Sequence, residues 1–460
     1  MANLLESYKN RLAISESVHQ KSHNGAKMSA QKKLMIASVL NNTSKFMNEA
    51  FDSSAATQRS ALGDYKKFCL NISTVALPNL ILPELMLTQP MSSIAGYVTY
   101  LRYTAGTAKG GVGLGETFNS VYRLGKMDEN RIDYTADRVA ETVKVDEDGN
   151  VTLSWFPVVN TDKVKPEIVS GATAITAVDA SKGVFAVTGA DTGAEVKVRY
   201  IYDNVIIPQN NLPTLKAEMD VIELHAHARR IAVYYSQIAA FQAKTDYGTD
   251  IGEQLAAQAQ GELAYEIDTE GVMMLYKGAE HDTAIDFESY EKSNQKTYIS
   301  RSQYYEYFNE IIARAKQVLY KRTQKFAPNY MVVGTDVISI LPYLKGWTAA
   351  PASTFNGPYF AGTVDGIKVF VSPSIAANEY FFGVNGSDLQ TSAGVYAPYM
   401  AIVPTQLLGF ADGTMSQGFS TMYDMKLLST YTGTIAGKNA KDDKNGEHSW
   451  LLVKGEFITA

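Results

Sequence analysis

The chain has 460 residues, of which 20% are charged and 45% hydrophobic, and its formal net charge is −6 at pH 7. This length allows two or three hydrophobic cores, and the composition is that of a globular protein. No run approaches the ~18 consecutive apolar residues of a membrane helix, and the first residues lack the apolar segment of a signal peptide, so we expect a soluble protein made in the cytoplasm.

The N-terminal segment differs from the rest of the chain in charge. Residues 1–60 contain eight Lys or Arg and four Asp or Glu, a net charge of +4, whereas the other 400 residues carry 34 basic and 44 acidic residues, a net charge of −10. A basic arm on an acidic body suits a segment that lies across neighbouring subunits or faces nucleic acid, and a solvated helix surface is the alternative. The acidic body itself predicts a poor general DNA binder.

Polar helices are predicted for residues 1–62. The run Lys32–Leu40 has an apolar stripe but little core, and such a segment buries too little surface to be stable alone. We therefore expect a neighbouring copy of the chain to order it.

A strand and a glycine-rich loop come next. Residues 96–103 alternate between apolar and polar side chains with the period of a strand. Residues 104–115 are rich in glycine, but their spacing matches neither G-x-G-x-x-G nor the P-loop, and no Gly-Lys-Ser/Thr follows. The loop is therefore predicted to be a flexible hinge.

Short strands separated by turns fill residues 128–207. Residues 141–145 and 151–156 flank the acidic turn Asp146–Asn150, which predicts a β-hairpin. Further strands are predicted at residues 174–178, 183–187 and 195–202. We expect a small β-rich insertion.

Two amphipathic helices are predicted after a strand at residues 226–234. Asp250 followed by Glu253 is typical of a capping box, and an apolar residue then recurs every fourth position: Ile251, Leu255, Ala259, Leu263 and Ile267. The second helix is expected to begin at Ser300 or Ser302 and to end before Pro328. Buried strands are predicted at residues 330–334, 367–371 and 380–384, and a last strand near residues 450–457.

Few residues carry a pattern typical of catalysis or metal binding. His225 and His227 would lie on one face of a strand, but a metal site needs further ligands, and the other histidines sit in no ligand spacing: His19, His23, His281 and His448. The acidic turn at residues 146–148 lacks the glycine and terminal Glu of a calcium loop. Cys69 lies in an apolar run and excludes an intrachain disulfide. We predict no catalytic, cofactor-binding or metal-binding residues.

Five phrases occur in one fixed order along the chain. They are Ala-Leu-Pro-Asn-Leu-Ile at 76–81, Gln-Pro-Met-Ser-Ser at 89–93, Gly-Tyr-Val-Thr-Tyr-Leu-Arg at 96–102, Phe-Ala-Gly-Thr-Val-Asp-Gly at 360–366, and Ala-Gly-Val-Tyr-Ala-Pro-Tyr-Met-Ala-Ile-Val-Pro at 393–404. Together they resemble the major capsid proteins of T-even-like tailed bacteriophages. The resemblance covers about residues 70–460 and is weakest over 104–220.

The resemblance implies the α+β Hong Kong 97-type capsid fold, with a β-rich insertion in its extended loop. The implied regions are an N-terminal arm at 1–75, the extended loop at 76–235 with the insertion at about 128–207, the spine helix and peripheral domain at 236–300, the axial domain at 300–390, and the return to the peripheral domain at 391–460. The spine helix would be residues 250–277.

The implied function is that of a major capsid protein and not of an enzyme. Such a protein assembles with itself into hexamers and pentamers in the host cytoplasm and forms the head shell of the virion around double-stranded DNA. Portal, scaffold, vertex and decoration proteins are possible partners. An encapsulin-like compartment of the same fold with a protein cargo is the first alternative, and a metal-dependent hydrolase centred on His225 and His227 is a remote one.

Overall fold

The structure, a computed structural model, describes residues 2–23, 25–52, 70, 74, 77–109, 112–115, 134–203, 212–246, 251–294, 298–323, 325–351, 357–405, 408–428, 430–431 and 448–459. The α-helices in these residues are α1 (Ala2–Ser7), α2 (Lys9–Ser22), α3 (Ala30–Asp52), α4 (Leu82–Leu85), α5 (Gln237–Asp246), α6 (Ile251–Gly278), α7 (Arg301–Glu306) and α8 (Phe308–Thr323). Single 3₁₀ turns lie at Leu77–Asn79, Thr283–Ile285, Val337–Ser339, Leu341–Tyr343 and Leu389–Thr391.

Strands occur along most of the chain after residue 86. They are β1 (Leu87–Thr88), β2 (Ala95–Ala105), β3 (Arg138–Lys144), β4 (Asn150–Thr152), β5 (Glu167–Ser170), β6 (Ala174–Asp179), β7 (Val184–Thr188), β8 (Glu195–Ile201), β9 (Leu215–His225), β10 (His227–Ser236), β11 (Glu280–His281), β12 (Phe287–Glu288), β13 (Tyr330–Val333), β14 (Thr348–Ala349), β15 (Tyr359–Val364), β16 (Ile367–Val371), β17 (Glu379–Gly383), β18 (Gly394–Pro404), β19 (Leu408–Gly409), β20 (Thr414–Leu427), β21 (Thr430–Tyr431), β22 (His448–Ser449) and β23 (Leu452–Ile458).

The chain divides into two compact units. One comprises residues 1–98 together with 222–460, and the other comprises residues 99–221. Helices and mixed sheets share the first unit, and strands dominate the second. The predicted α+β class is confirmed.

An eight-stranded sheet forms one half of the first unit, in the order β11-β23-β17-β13-β16-β15-β14 with β12 beside β23. Its central strand, β13, runs parallel to β16 and antiparallel to β17. All four residues of β13 are buried, which explains its continuous apolar sequence, since a strand covered on both faces shows no alternation. Helix α8 packs against the same sheet through Phe308, whose ring lies 5.2 Å from that of Tyr380 in β17.

A five-stranded sheet forms the other half, in the order β1-β18-β20-β10 with β19 beside β20. Strands β10 and β20 pair antiparallel over ten residues, from His227 opposite Tyr423 to Ser236 opposite Thr414. Helix α6 covers this sheet, and its Ala259 and Leu263 share a core with Ile402 and Phe419.

Helix α6 confirms the predicted long helix and most of its apolar stripe. Ala259, Leu263 and Ile267 are buried, Leu255 is half-buried, and Gln258 on another face is exposed. Asp250, the predicted cap, lies outside the described residues. The period-of-four pattern therefore identified the buried face of the helix correctly.

The second predicted helix is two helices. Ser300 caps α7, and its side chain pairs reciprocally with Gln303 in a capping box, as the choice of Ser300 or Ser302 anticipated. Tyr307 then separates α7 from α8. One apolar face of α8 is buried nonetheless, and it includes Ile311, Ile312 and Leu319.

Two three-stranded sheets build most of the second unit, in the orders β3-β8-β5 and β4-β7-β6. They share one core, whose buried members include Val151, Trp155, Phe185, Val198 and Tyr200. The strands predicted near 174–178, 183–187 and 195–202 are confirmed as β6, β7 and β8.

The predicted hairpin around the acidic turn is wrong. Strand β3 pairs with β8 and strand β4 pairs with β7, so the two strands belong to different sheets. The turn itself forms as expected, with the Asp146 carboxylate accepting hydrogen bonds from the backbone N–H groups of Asp148 and Asn150 at 3.1 and 2.6 Å. The turn residues therefore predicted the reversal of chain direction correctly, but not the partner of either strand.

The glycine-rich loop is packed where it is described. The buried Lys109 donates hydrogen bonds to the carbonyl of Tyr134 (3.1 Å) and the hydroxyl of Tyr202 (2.8 Å). The backbone N–H of Gly106 donates to the carbonyl of Thr214 at 2.7 Å. These contacts show where the described part of the loop packs, and the flexible hinge stays a prediction.

The N-terminal helices pack on their own chain. In α3, Met35, Ile36 and Leu40 are fully buried, and the hydroxyl of Thr43 accepts a hydrogen bond from the N–H of Ala401 in β18 at 3.2 Å. The expectation that a neighbouring copy is needed to order this segment is therefore corrected. A sheet of the same chain supplies the surface that the apolar stripe of α3 covers.

Candidate functional site

Large apolar side chains are exposed at one end of the five-stranded sheet. Tyr234 near the end of β10, Ile238 and Phe241 in α5, and Leu408 and Phe410 beside β19 are between 51% and 72% exposed. We call these five residues the apolar end. The backbone brings them together, because α5 follows β10 directly and the N–H of residue 237 donates to the carbonyl of residue 413 in the turn before β20.

Among the residues that the structure describes, none covers the greater part of these five side chains. Burial of a Leu, Ile or Phe side chain is worth about 1.5–3 kcal/mol, and these side chains forgo it. Exposed apolar side chains gathered at one place, unlike scattered ones, mark an interaction surface.

A second exposed surface follows β2 and β9. Among the described strands, these two pair only with each other. Leu215, Met219 and Val221 in β9 are more than half exposed. A ribbon of two strands is marginally stable in water and leaves both edges unpaired, so it favours association with further chain.

A buried group of charged and imidazole side chains lies in the first unit, where α2, α3, α4 and β16 meet. We call it the ionic cluster. Glu84 Oε1 is 3.0 Å from Nε2 of His23, 3.9 Å from Nε2 of His19 and 3.6 Å from Nζ of Lys32. Glu84 Oε2 accepts a hydrogen bond from Nζ of Lys368 at 2.8 Å.

Burial and charge set the protonation of the ionic cluster. Burial raises the pKa of the Glu84 carboxyl, but the hydrogen bond from His23 and the charges of Lys32 and Lys368 outweigh it and hold the pKa well below its usual range. Burial, aided by the positive charge of Lys32, lowers the pKa of His19 to about 4. Burial likewise lowers the pKa of Lys32 from its ordinary value.

Asp268 of helix α6 adjoins the same cluster. Its carboxylate accepts hydrogen bonds from the backbone N–H groups of Ile81 and Leu82, at 3.2 and 3.3 Å. Burial raises the pKa of Asp268 to about 7, against the opposing effect of those hydrogen bonds. The ionic cluster and Asp268 together connect the N-terminal helices, α4 and the long helix α6.

Sequence reasoning missed the ionic cluster. The prediction that His19 and His23 sit in no ligand spacing is wrong, because residues four apart lie on the same face of a helix. In the described residues, His19, His23 and Glu84 form the one group of three metal-ligating side chains whose ligand atoms lie within 4.8 Å of one another. The i, i+4 pair was readable in the sequence, whereas Glu84 could be added only by the fold.

The other residues considered in the sequence as metal ligands do not belong to a group of this kind. The rings of His225 and His227, at the junction of β9 and β10, are 5.2 Å apart and exposed. No third metal ligand joins them among the residues that the structure describes. Asp146 is occupied with its own turn, and Cys69 lies outside the described residues.

Exposed apolar surfaces of this kind are typical of proteins that associate with other chains. No helix in the described ranges combines the length and hydrophobicity needed to cross a bilayer. The model of the family described as major capsid protein Gp23 matches residues 63–452. The chain therefore belongs to the Gp23 family of major capsid proteins, the structural proteins that form the head shell of bacteriophages.

Several solved structures resemble the chain at low sequence identity. A structure from Mycobacterium phage Che8 is 12% identical, with 73% of this chain and 91% of that chain covered and a TM-score of 0.33. The capsid of Myoviridae phage XM1 is 9% identical, with 70% and 86% covered and a TM-score of 0.33. The holo-SrpI encapsulin complex from Synechococcus elongatus PCC 7942 is 11% identical, with 55% and 79% covered and a TM-score of 0.32. Among curated proteins, none matches the chain. The family assignment rests on the sequence match.

Proposed function

We propose that the protein assembles into hexamers and pentamers of itself, which close into the head shell of a phage virion around double-stranded DNA. The family match over residues 63–452 is the observation that carries this proposal. The net charge of −6 argues against strong binding of DNA by the chain itself, because Lys and Arg contacts to phosphates supply most of such affinity, and enclosure without sequence-specific binding is compatible with it. Assembly would take place in the host cytoplasm, with portal, scaffold, vertex and decoration proteins as possible partners.

The apolar end and the β2–β9 ribbon are the surfaces that we assign to contacts between copies. Residues at the centre of protein interfaces are enriched in Tyr, Phe and other apolar side chains and depleted in charge. Tyr234, Ile238 and Phe241 fit this description. The ribbon offers unpaired strand edges that another chain can extend.

The architecture that we propose is the Hong Kong 97-type capsid fold, with α6 as the spine helix. Under this assignment residues 1–75 are the N-terminal arm, 76–235 the extended loop region, 236–300 the spine helix and peripheral domain, 300–390 the axial domain, and 391–460 the return to the peripheral domain. The β-rich core of the second unit corresponds to the insertion at about 128–207. We further propose that the protein acts through burial of interface and carries out no catalysis.

Assembly of the purified full-length chain tests the proposal. Light scattering and negative-stain microscopy over a range of salt concentrations should show capsomers, sheets or shells. Phe241→Asp should lower the assembled fraction, whereas Gln258→Asp, also a change at an exposed helix position, should not. A stable 50.4 kDa monomer under all conditions would contradict the proposal. Particles that contain a protein cargo in place of DNA would favour the encapsulin-like alternative.

A further inference from the structure

We propose that His19, His23 and Glu84 form a binding site for a divalent transition-metal ion, with zinc as the preferred ion, that ties the N-terminal helices to the body of the protein. This inference does not depend on the proposed shell function. It rests on the positions of the three side chains, on the groups that orient them and on the opening that leads to them.

The three side chains offer a donor set typical of zinc. Two imidazole nitrogens and one carboxylate oxygen suit Zn²⁺, whose sites often combine three protein ligands with one exchangeable position. With Zn–N and Zn–O bonds of roughly 2.0–2.2 Å, ligand atoms in a tetrahedral site lie roughly 3.3–3.6 Å apart. The distances from Glu84 Oε1 to Nε2 of His23 and of His19 are 3.0 and 3.9 Å. Small side-chain rotations bring both within the required range.

The position of His23 is fixed by groups outside the ligand set. Its Nδ1 lies 3.2 Å from the carbonyl oxygen of His19, which directs Nε2 toward Glu84. The ring of Phe360 stacks on the ring of His23, with centroids 5.0 Å apart. Ligating histidines commonly bond a backbone carbonyl through the second ring nitrogen, because this holds the ring in the binding orientation.

Two lysines compete with a metal ion for Glu84. Nζ of Lys32 lies 3.4 Å from Nδ1 of His19 and donates a hydrogen bond to the carbonyl of Leu80 at 3.2 Å. The hydrogen bond to Leu80 can persist when Glu84 binds a metal ion. Lys368 has a half-exposed side chain and can move into water. Metal binding therefore displaces the ammonium groups from Glu84, which lowers the affinity for the metal ion. Removal of the Lys368 charge should accordingly raise that affinity.

An open cavity of about 840 Å³ gives access to the cluster. Its lining includes His19, His23, Lys32, Glu84 and Lys368. An ion can therefore enter without unfolding of the helices. Because His19 and His23 lie on α2 whereas Glu84 lies on α4, a bound ion would bridge two segments that are about 60 residues apart in the sequence.

Zinc titration of the full-length chain without an affinity tag tests the inference. After treatment with a chelator, isothermal titration with ZnCl₂ should give one site per chain, and Co²⁺ should give the visible absorption of a tetrahedral centre. The double variant His19→Ala and His23→Ala should weaken zinc binding by at least about 10-fold. The matched pair His225→Ala and His227→Ala should leave it unchanged.

The variant Lys368→Gln separates metal binding from a purely structural role. It removes a competing charge without removing a ligand, so zinc affinity should rise several-fold while the Co²⁺ spectrum is retained. If the double histidine variant fails to fold, two other measurements still test the site. They are the increase in zinc affinity in Lys368→Gln and the number of zinc ions bound per unaltered chain. Absence of zinc binding, unchanged affinity in Lys368→Gln, or loss of binding through His225 and His227 would each overturn the inference.

Discussion

The β-rich core at residues 139–202 and the N-terminal helix α3 both bury apolar side chains, but they find their partners in different ways. Phe185 and Trp155 pack against residues of the same segment, so this core closes on itself. Helix α3 covers strand β18, whose Ala401 is 358 residues further along the chain. The β-rich core is stabilised by contacts within its own segment, whereas α3 depends on a surface that a distant part of the same chain supplies.

This difference has a physical consequence for the two regions. A self-contained core should unfold as a unit and leave its surroundings intact, because its buried side chains pack against one another. A docked helix should lose its order whenever the surface beneath it changes. The two regions should therefore respond differently to substitutions of similar severity.

The largest expected effect is in the β-rich core. Phe185→Ala should lower its free energy of unfolding by about 3–5 kcal/mol, through lost burial and a residual cavity. Hydrogen exchange followed by mass spectrometry should show faster exchange in β4, β7 and β8 and no change in β13. Val178→Ala, an exposed site in the same unit, should change stability by no more than about 0.5 kcal/mol. Loss of protection in β13 would show that the core is not independent.

In the first unit, the long helix α6 allows a comparison between a buried and an exposed position. Leu263→Ala should cost about 2–5 kcal/mol, because Leu263 shares a core with Ile402 and Phe419. Leu263→Asp should cost more, since an unpaired charge would enter an apolar site. Gln258→Ala should stay within about 0.5 kcal/mol. Chemical denaturation measures all three, and equal effects at Leu263 and Gln258 would mean that the buried face of α6 is misassigned.

A smaller effect is expected where α3 docks. The Asn42 side chain donates hydrogen bonds to the carbonyls of Met91 (2.7 Å) and Tyr399 (3.0 Å). Asn42→Ala should cost about 1–3 kcal/mol, because both carbonyls lose their partner. Exchange should accelerate in α3 before it does in β18. Lys45→Ala, at an exposed position of the same helix, serves as the control, and an equal response there would contradict specific docking.

Removal of the β-rich core should have the smallest effect on the folding of the first unit. Replacement of residues 128–207 by a short linker should leave the first unit folded and cooperative, since a self-contained segment tolerates removal when its ends lie close together. Thermal unfolding monitored by circular dichroism checks this expectation. Loss of soluble, cooperatively unfolding protein would show that these strands belong to the main core.

The sequence predicted regular elements more reliably than their partners. Alternation at residues 195–202 and the period of four in α6 identified β8 and the buried Leu263, because both patterns are local. The pairing of β3 with β8 was missed, since no local signal distinguishes a near partner from a distant one. The stripe of α3 was visible, but the strand that it covers was not.

The ionic cluster shows the same division. The spacing of His19 and His23 is visible in the sequence, and on a helix this spacing places both imidazoles on one face. Glu84 and Lys368 are 61 and 345 residues away from His23, and only the folded chain brings them beside it. Buried polar groups of this kind are chosen by tertiary structure, so composition and periodicity do not reveal them.

We propose that this chain builds a closed shell from copies of itself. Cryo-electron microscopy of particles assembled from the purified protein tests it most directly. We expect closed shells in which six-fold and five-fold capsomers are both present, with α6 and the two sheets of the first unit recognisable in every subunit. A small oligomer of fixed size, or filaments without five-fold positions, would contradict the account.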